Sequence, residues 1–257
     1  MINKVLKIID SIINTIIIIF AFIVLSIGVY GIYDTYQIYE NVTFGDDIKE
    51  IREIKLNKTF DDVKNINSDI VGWIKMNDTM IDYPILHCTN NQAYLNLDYK
   101  KEYNYAGSIF LDYRNEKNFF DDYNIIYGHN LSVGGMFSDI AKYNDKDFFD
   151  KHLEGTLTTL DKEYKIEVIT YSIINVNDNL PYNLLFKKNG STLELLNYFK
   201  EKAKYINDID YSLNDKLLLL STCDNDSMDQ RLVLLARIVN VDNENTDYKN
   251  LTHALFQ

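Results

Sequence analysis

Two cysteines and four histidines are all that a chain of 257 residues offers to thiol or imidazole chemistry, so the candidate nucleophile and base pairs can be inspected one by one. Cys223 follows the apolar run Leu217 to Leu220 and precedes Asp224, Asn225 and Asp226, where a buried strand opens into a polar loop. A strand end holds a side chain firmly while leaving its tip accessible, which suits a nucleophile; a buried structural thiol is the ordinary alternative. His129 occupies the same kind of place, after Ile125, Ile126 and Tyr127, with Gly128 allowing a turn. Arg231 begins the next strand beyond the loop DNDSMDQ. A hairpin folding back there brings the guanidinium near the thiol, where fixed positive charge favours thiolate and can bind an oxyanion. Cys88 and His87 form a weaker pair, because adjacent residues of a strand point to opposite faces. Arg237 shares a strand face with Arg231 but reads as structural, and His152 and His253 have no chemical neighbours.

The elements that must position these residues are short and β-rich. From about residue 60, apolar runs alternate with Asn, Asp and Gly clusters, the pattern of a mainly antiparallel or barrel-like domain. The predicted strands are Gly72 to Lys75, Tyr83 to Leu86, Ser108 to Leu111, Asn124 to Tyr127, Gly155 to Leu160, Lys165 to Ile174, Lys216 to Ser221 and Arg231 to Val239. Two helices are predicted, a short one over Asn90 to Leu95 and a longer one over Thr192 to Ile206. In the longer one Leu195, Leu196, Phe199 and Ala203 recur at helical spacing behind Ser191 as N-cap.

Composition excludes several classes. The balance of 26 Lys+Arg against 38 Asp+Glu gives a net charge of -12, which argues against a nucleic-acid backbone as partner. Two cysteines do not make a disulfide framework, and no internal repeat is present. The acidic clusters at Asp46 and Asp47, Asp121 and Asp122, and Asp145 to Asp150 lack calcium-loop spacing and read as solvated surface. Neither a metal nor a cofactor is expected. Residues 11–33 carry no charge and, as a helix rising about 1.5 Å per residue, reach roughly 34 Å, enough to span a bilayer. With no A-x-A-like cleavage site after the span, an uncleaved anchor is favoured. The charge signal for orientation is nearly balanced, Lys4 and Lys7 before the span against Lys49 and Arg52 after it. The short amino-terminal tail is read as inside and the acidic remainder as exported. The resulting organisation is a cytoplasmic tail at 1–10, an anchor at 11–33, a polar stalk at 34–60, one folded domain at 61–240 and a polar tail at 241–257.

Several segments carry a resemblance. LLLLSTCDNDSMDQRLVLLARIV resembles the sortase signature, a Leu-Ser-Thr-Cys or Thr-x-Thr-Cys sequence on one strand with an arginine opening the next, and IIYGHN resembles its histidine segment. DYPILHCTNNQAYLNLDY, AGSIFLDYRN and GGMFSDIAKY, in that order, resemble class B members in particular, as does a helix ahead of the cysteine strand. The resemblance covers roughly residues 65–240 and implies a closed β-barrel with peripheral helices. It further implies Cys223 as nucleophile, His129 as acid/base and Arg231 as the oxyanion or substrate-orienting group. Ser221, Thr222 and Asp224 would flank the pocket, Asn91 would match a substrate-contacting asparagine, and residues 172–182 should line the pocket without any residue-by-residue match. The implied activity is transpeptidation: cleavage of a short sorting motif, of the N-P-x-T-x or a related type, near the carboxyl end of exported proteins, and transfer to a peptidoglycan amine. Two alternatives stand beside it. One is a membrane-anchored cysteine protease that transfers only to water; the other is a noncatalytic exported binding domain with a buried thiol.

Overall fold

The computed structural model describes residues 2–39, 65–159, 162–184, 192–210, 212, 214–223 and 229–240. Outside them lie the expected stalk beyond residue 39, Leu160, the N-cap candidate Ser191, Asp224 with the loop to 228, and the tail 241–257 with His253.

Helix α1 spans Ile2–Tyr39, and its side chains from Asn3 to Gln37 are all exposed. The hydroxyls of Thr15, Ser26 and Thr35 each donate to the carbonyl four residues back, at 2.8 Å, which satisfies them without water. The stretch Asn3–Gln37 is long and apolar enough to cross a membrane, and none of its apolar window is buried in the rest of the protein.

Nine strands follow among the described residues: β1 (Ile70–Met76), β2 (Asp82–Leu86), β3 (Ile109–Leu111), β4 (Tyr123–Tyr127), β5 (Glu154–Thr159), β6 (Glu163–Asn175), β7 (Ala203–Ile206), β8 (Lys216–Cys223) and β9 (Gln230–Asn240). Their order is β5-β1-β2-β3-β4-β8-β9-β6-β7, and pairing of β5 with β6 closes all but β7 into an eight-stranded barrel. β2–β3 and β4–β8 are parallel and the other pairs antiparallel. The run Leu217 to Leu220 reads as continuous apolar sequence because both faces of β8 are covered. Leu218 and Leu220 pack into the barrel with Ile126 and Leu234, while Leu217 and Leu219 meet an outer layer containing Leu195, Leu196 and Phe199. Those three belong to helix α3 (Thr192–Lys202); a shorter helix, α2, spans Lys146–Lys151.

The helices depart from expectation in two places. α3 stops at Lys202, and the residues read as its last turn form β7, with Tyr205 opposite Tyr171 and Ile206 opposite Thr170. Ala203 and Tyr205 turn inward while Lys204 and Ile206 turn out, a period of two that the apolar residues ahead of it masked. The Lys204 ammonium donates to the Asn144 carbonyl at 3.0 Å and holds the strand down. Of the short helix at Asn90 to Leu95, only a single 3₁₀ turn forms, Ala93–Leu95. The Asn90 side-chain oxygen accepts from Gln92 N and Ala93 N, at 2.8 and 2.9 Å, and turns the chain in place of a preceding helical turn.

Candidate active site

Strand register brings the chemical residues together. In the β4–β8 pair Tyr127 lies beside Ser221, and Gly128 N donates to Ser221 O at 3.2 Å. Because these two strands are parallel, the next residues of each emerge on the same rim, His129 from one and Cys223 from the other. On the other side of β8, Cys223 is the register partner of Arg231. Neighbouring strands lie about 4.8 Å apart, so three adjacent strands deliver a cysteine, a histidine and an arginine to one edge of the barrel.

His129 is held from two directions. Its carbonyl accepts from Phe137 N at 3.0 Å, and its ring Nε2 lies 2.8 Å from the Leu95 carbonyl. A carbonyl oxygen only accepts, so Nε2 carries a hydrogen and Nδ1 is the nitrogen left to gain or lose a proton. Gly128 makes the approach possible: a Cβ there would lie 2.3 Å from Ile109 Cδ1 and 2.8 Å from the Phe137 ring. Leu95 is placed in turn by Gly107, at φ +59°, where a Cβ would stand 2.5 Å from the Leu95 carbonyl oxygen. Arg231 is half-buried, and its Nη1 donates to Gln230 O at 2.9 Å.

Around these groups lies a pocket of about 210 Å³ lined by Asn91, Leu95, Phe110, Tyr127, Gly128, His129, Ser221, Thr222 and Arg231. Of the residues read as pocket-forming, Asn91, Ser221 and Thr222 are therefore on its wall, while Asp224 is outside the described residues. Thr222 Oγ1 is buried and has no hydrogen-bond partner among the described residues. The segment 172–182, expected to line the pocket, places none of its residues on this wall, but its Tyr182 packs against two that do. Its hydroxyl is 3.0 Å from Ser221 Oγ, and its ring stacks on Tyr127 at 6.3 Å between centroids.

Sequence reading passed over Asp112, which is fully buried. Its carboxylate accepts from Arg114 Nε and Nη2 at 2.8 Å each, from Asn91 Nδ2 at 2.9 Å and from the Tyr127 hydroxyl at 3.0 Å. Burial pushes the Asp112 carboxyl up, but the hydrogen bonds from Arg114 and Asn91 outweigh it and hold the group below the usual carboxylate range. Burial, and then the charge of Asp112, pushes the Tyr127 phenol far above its ordinary value, so it stays protonated and donates. The available signal was a carboxylate directly after the buried strand of AGSIFLDYRN with an arginine two residues on.

The remaining candidates sit elsewhere. His87 is buried just beyond β2 with neither ring nitrogen hydrogen-bonded among the described residues, and the Cys88 thiol donates to Asn90 O at 3.2 Å. Arg237 is paired with Glu167 and Asp215 at the opposite end of β9. Among the described residues, no group of three or more His, Cys, Asp and Glu side chains is placed to hold a metal ion.

A closed barrel presenting cysteine, histidine and arginine at one rim is the framework of a thiol-dependent acyl-transfer enzyme. No family model matches the chain. Sortase B of Listeria monocytogenes is 36% identical over 181 residues, covering 69% of this chain and 73% of that protein. Sortase B of Staphylococcus aureus is 32% identical over 184 residues, covering 71% and 75%. The solved Staphylococcus aureus sortase B–substrate complex superposes with a TM-score of 0.70 at 30% identity, over 80% of this chain and 98% of that one. The chain belongs to the sortase B family and is a sortase-type cysteine transpeptidase.

Proposed function

We propose that the protein is a single-pass membrane enzyme whose extracellular domain cleaves the carboxyl-terminal sorting motif of exported proteins and joins them to an amine of peptidoglycan or its lipid-linked precursor. The observation that carries this reading is the strand register setting Cys223 opposite Arg231 and on the same rim as His129. The Cys223 thiolate attacks a threonyl carbonyl, and Arg231 steadies the oxygen as charge develops on it. The C–N bond breaks as protonated His129 gives its proton to the departing amine, leaving a thioester. The incoming amine then attacks the thioester and yields a proton to the imidazole, which restores the thiolate–imidazolium pair. Asn91, Ser221 and Thr222 line the pocket and hold the peptide. Support for the anchor comes from α1, whose exposed apolar length matches a bilayer and would hold enzyme and membrane-tethered substrate at high effective concentration.

The test is to incubate residues 34–257 with a panel of sorting peptides, with and without an amine acceptor, and to follow ligated product by mass spectrometry. A ligated product that requires the acceptor supports transpeptidation; hydrolysis alone at every acceptor concentration would mean a protease. Cys223→Ala is expected to abolish cleavage with the fold intact, and Cys88→Ser to keep most of it. Unchanged cleavage by Cys223→Ala would end the proposal.

A further inference from the structure

We infer that Asp112 is a positioning residue that sets which hydrogen-bonding groups the substrate pocket presents, through Asn91, Tyr127 and Tyr182. The inference rests on the pocket at the barrel rim being the peptide site. Asp112 is fully buried, lies outside the pocket wall, and is ionised, so it can only accept hydrogen bonds. Asn91 donates Nδ2 to it at 2.9 Å while Asn91 Oδ1 accepts from Tyr113 N at 2.9 Å. The amide therefore has one orientation, which leaves its second Nδ2 hydrogen and one Oδ1 lone pair. That hydrogen is the donor Asn91 offers to a peptide or side-chain carbonyl oxygen. Tyr127 spends its hydroxyl hydrogen on the same carboxylate at 3.0 Å, which fixes the ring that stacks on Tyr182.

The third arm runs through Arg114. Its Nη2 bridges Asp112 Oδ2 at 2.8 Å and the Tyr182 carbonyl at 3.0 Å, and the Tyr182 hydroxyl meets Ser221 Oγ. One carboxylate thereby ties together the loop bearing Asn91, the end of β4 and the segment after β6. Hydrogen bonds to a charged acceptor are the stronger kind, and a buried carboxylate keeps its partners only while it stays charged. An asparagine at 112 has the same shape but must turn an NH2 group toward groups that also donate, so at least one of the three arms is released.

The experiment uses the full chain in detergent micelles, in a Cys88→Ser background so that Cys223 is the only thiol. Asp112→Asn, Asn91→Ala, Tyr127→Phe and their double combinations are compared by kcat and KM for a sorting peptide. The rate of Cys223 alkylation by iodoacetamide is measured beside them, because it reports the thiol without a peptide. Asp112→Asn is expected to lower kcat/KM by about tenfold or more, mainly through KM, with the alkylation rate within about twofold of the parent. Adding Asn91→Ala to Asp112→Asn should cost no more than about threefold further, since both act on one contact. A kcat/KM within threefold of the parent, or strictly multiplicative effects of the two substitutions, would overturn the inference. Should Asp112→Asn fail to fold, Asn91→Ala and Tyr127→Phe decide: coupled losses support a shared anchor and independent losses refute it. Failure of the underlying reading is separate, since Cys223→Ala would then still cleave the peptide.

Discussion

At the level of single residues, the proposed reactivity is a matter of neighbours, and the role proposed for Arg231 is the most direct case. A planar guanidinium can hold a carbonyl oxygen or a substrate backbone by two directed hydrogen bonds, whereas a lysine keeps the charge without the fork. Arg231→Ala is therefore expected to lose roughly 100- to 1000-fold in rate, the usual cost of one oxyanion donor, and Arg231→Lys not to restore it. Steady-state peptide cleavage with circular dichroism as a folding control checks this; a lysine variant within a few-fold of the parent would reduce the role to charge alone. The placement of Cys223, His129 and Arg231 at strand ends on one rim was legible in the sequence because each stands where an apolar run meets polar residues. Asp112 was not: on paper it is one of many acidic residues, and only the fold reveals that it is fully buried among three donor side chains. Tyr182 was hidden for a similar reason, since its place against Ser221 depends on a contact between distant segments.

Elements position these residues through turns as much as through strands. The Leu95 carbonyl that holds His129 belongs to a single 3₁₀ turn backed by Gly107, whose φ of +59° disfavours side chains and whose missing Cβ leaves the carbonyl its space. Gly107→Ala should cost on the order of 1–3 kcal/mol of stability through backbone strain. By moving the Leu95 carbonyl it should also lower kcat/KM about tenfold, because small displacements of a group that must be aligned in the transition state cost rate. Calorimetry and peptide kinetics read the two effects separately, and a destabilised variant with full activity would show that His129 does not depend on this carbonyl. The strands that carry the site were well marked by their apolar runs. The boundary between α3 and β7 was not, because Ala203 satisfies the helical spacing of Leu195, Leu196 and Phe199 while the chain beyond it already alternates.

For the molecule as a whole, acid should act in two stages. Burial, reinforced by the positive charge of Lys117, holds His87 below the ordinary imidazole value. The folded state therefore binds fewer protons there than the unfolded chain, so stability is intact above about pH 6.5 and declines below it, by up to about 1.4 kcal/mol per pH unit. Asp69, Asp112 and Glu167 are carboxylates held below their usual range, burial opposing and their cationic and hydrogen-bonding partners prevailing. Their contribution is complete above about pH 4 and is lost as pH falls through their folded values. His87→Gln should flatten the fall in Tm between pH 7 and 5 and leave the steeper loss below pH 4; an unchanged profile between pH 7 and 5 would assign that stage to another group. Closure of the barrel has a mechanical consequence as well. The chain from the proposed anchor reaches the barrel at β1, and in the order β5-β1-β2-β3-β4-β8-β9-β6 the strand carrying Cys223 is four places from β1 in either direction. A pull transmitted to β1 would load a strand zipped to neighbours on both sides, on the wall opposite Cys223. Tension from a tethered polymer would then shear β1 against β2 and β5 before it disturbed the spacing of β4, β8 and β9.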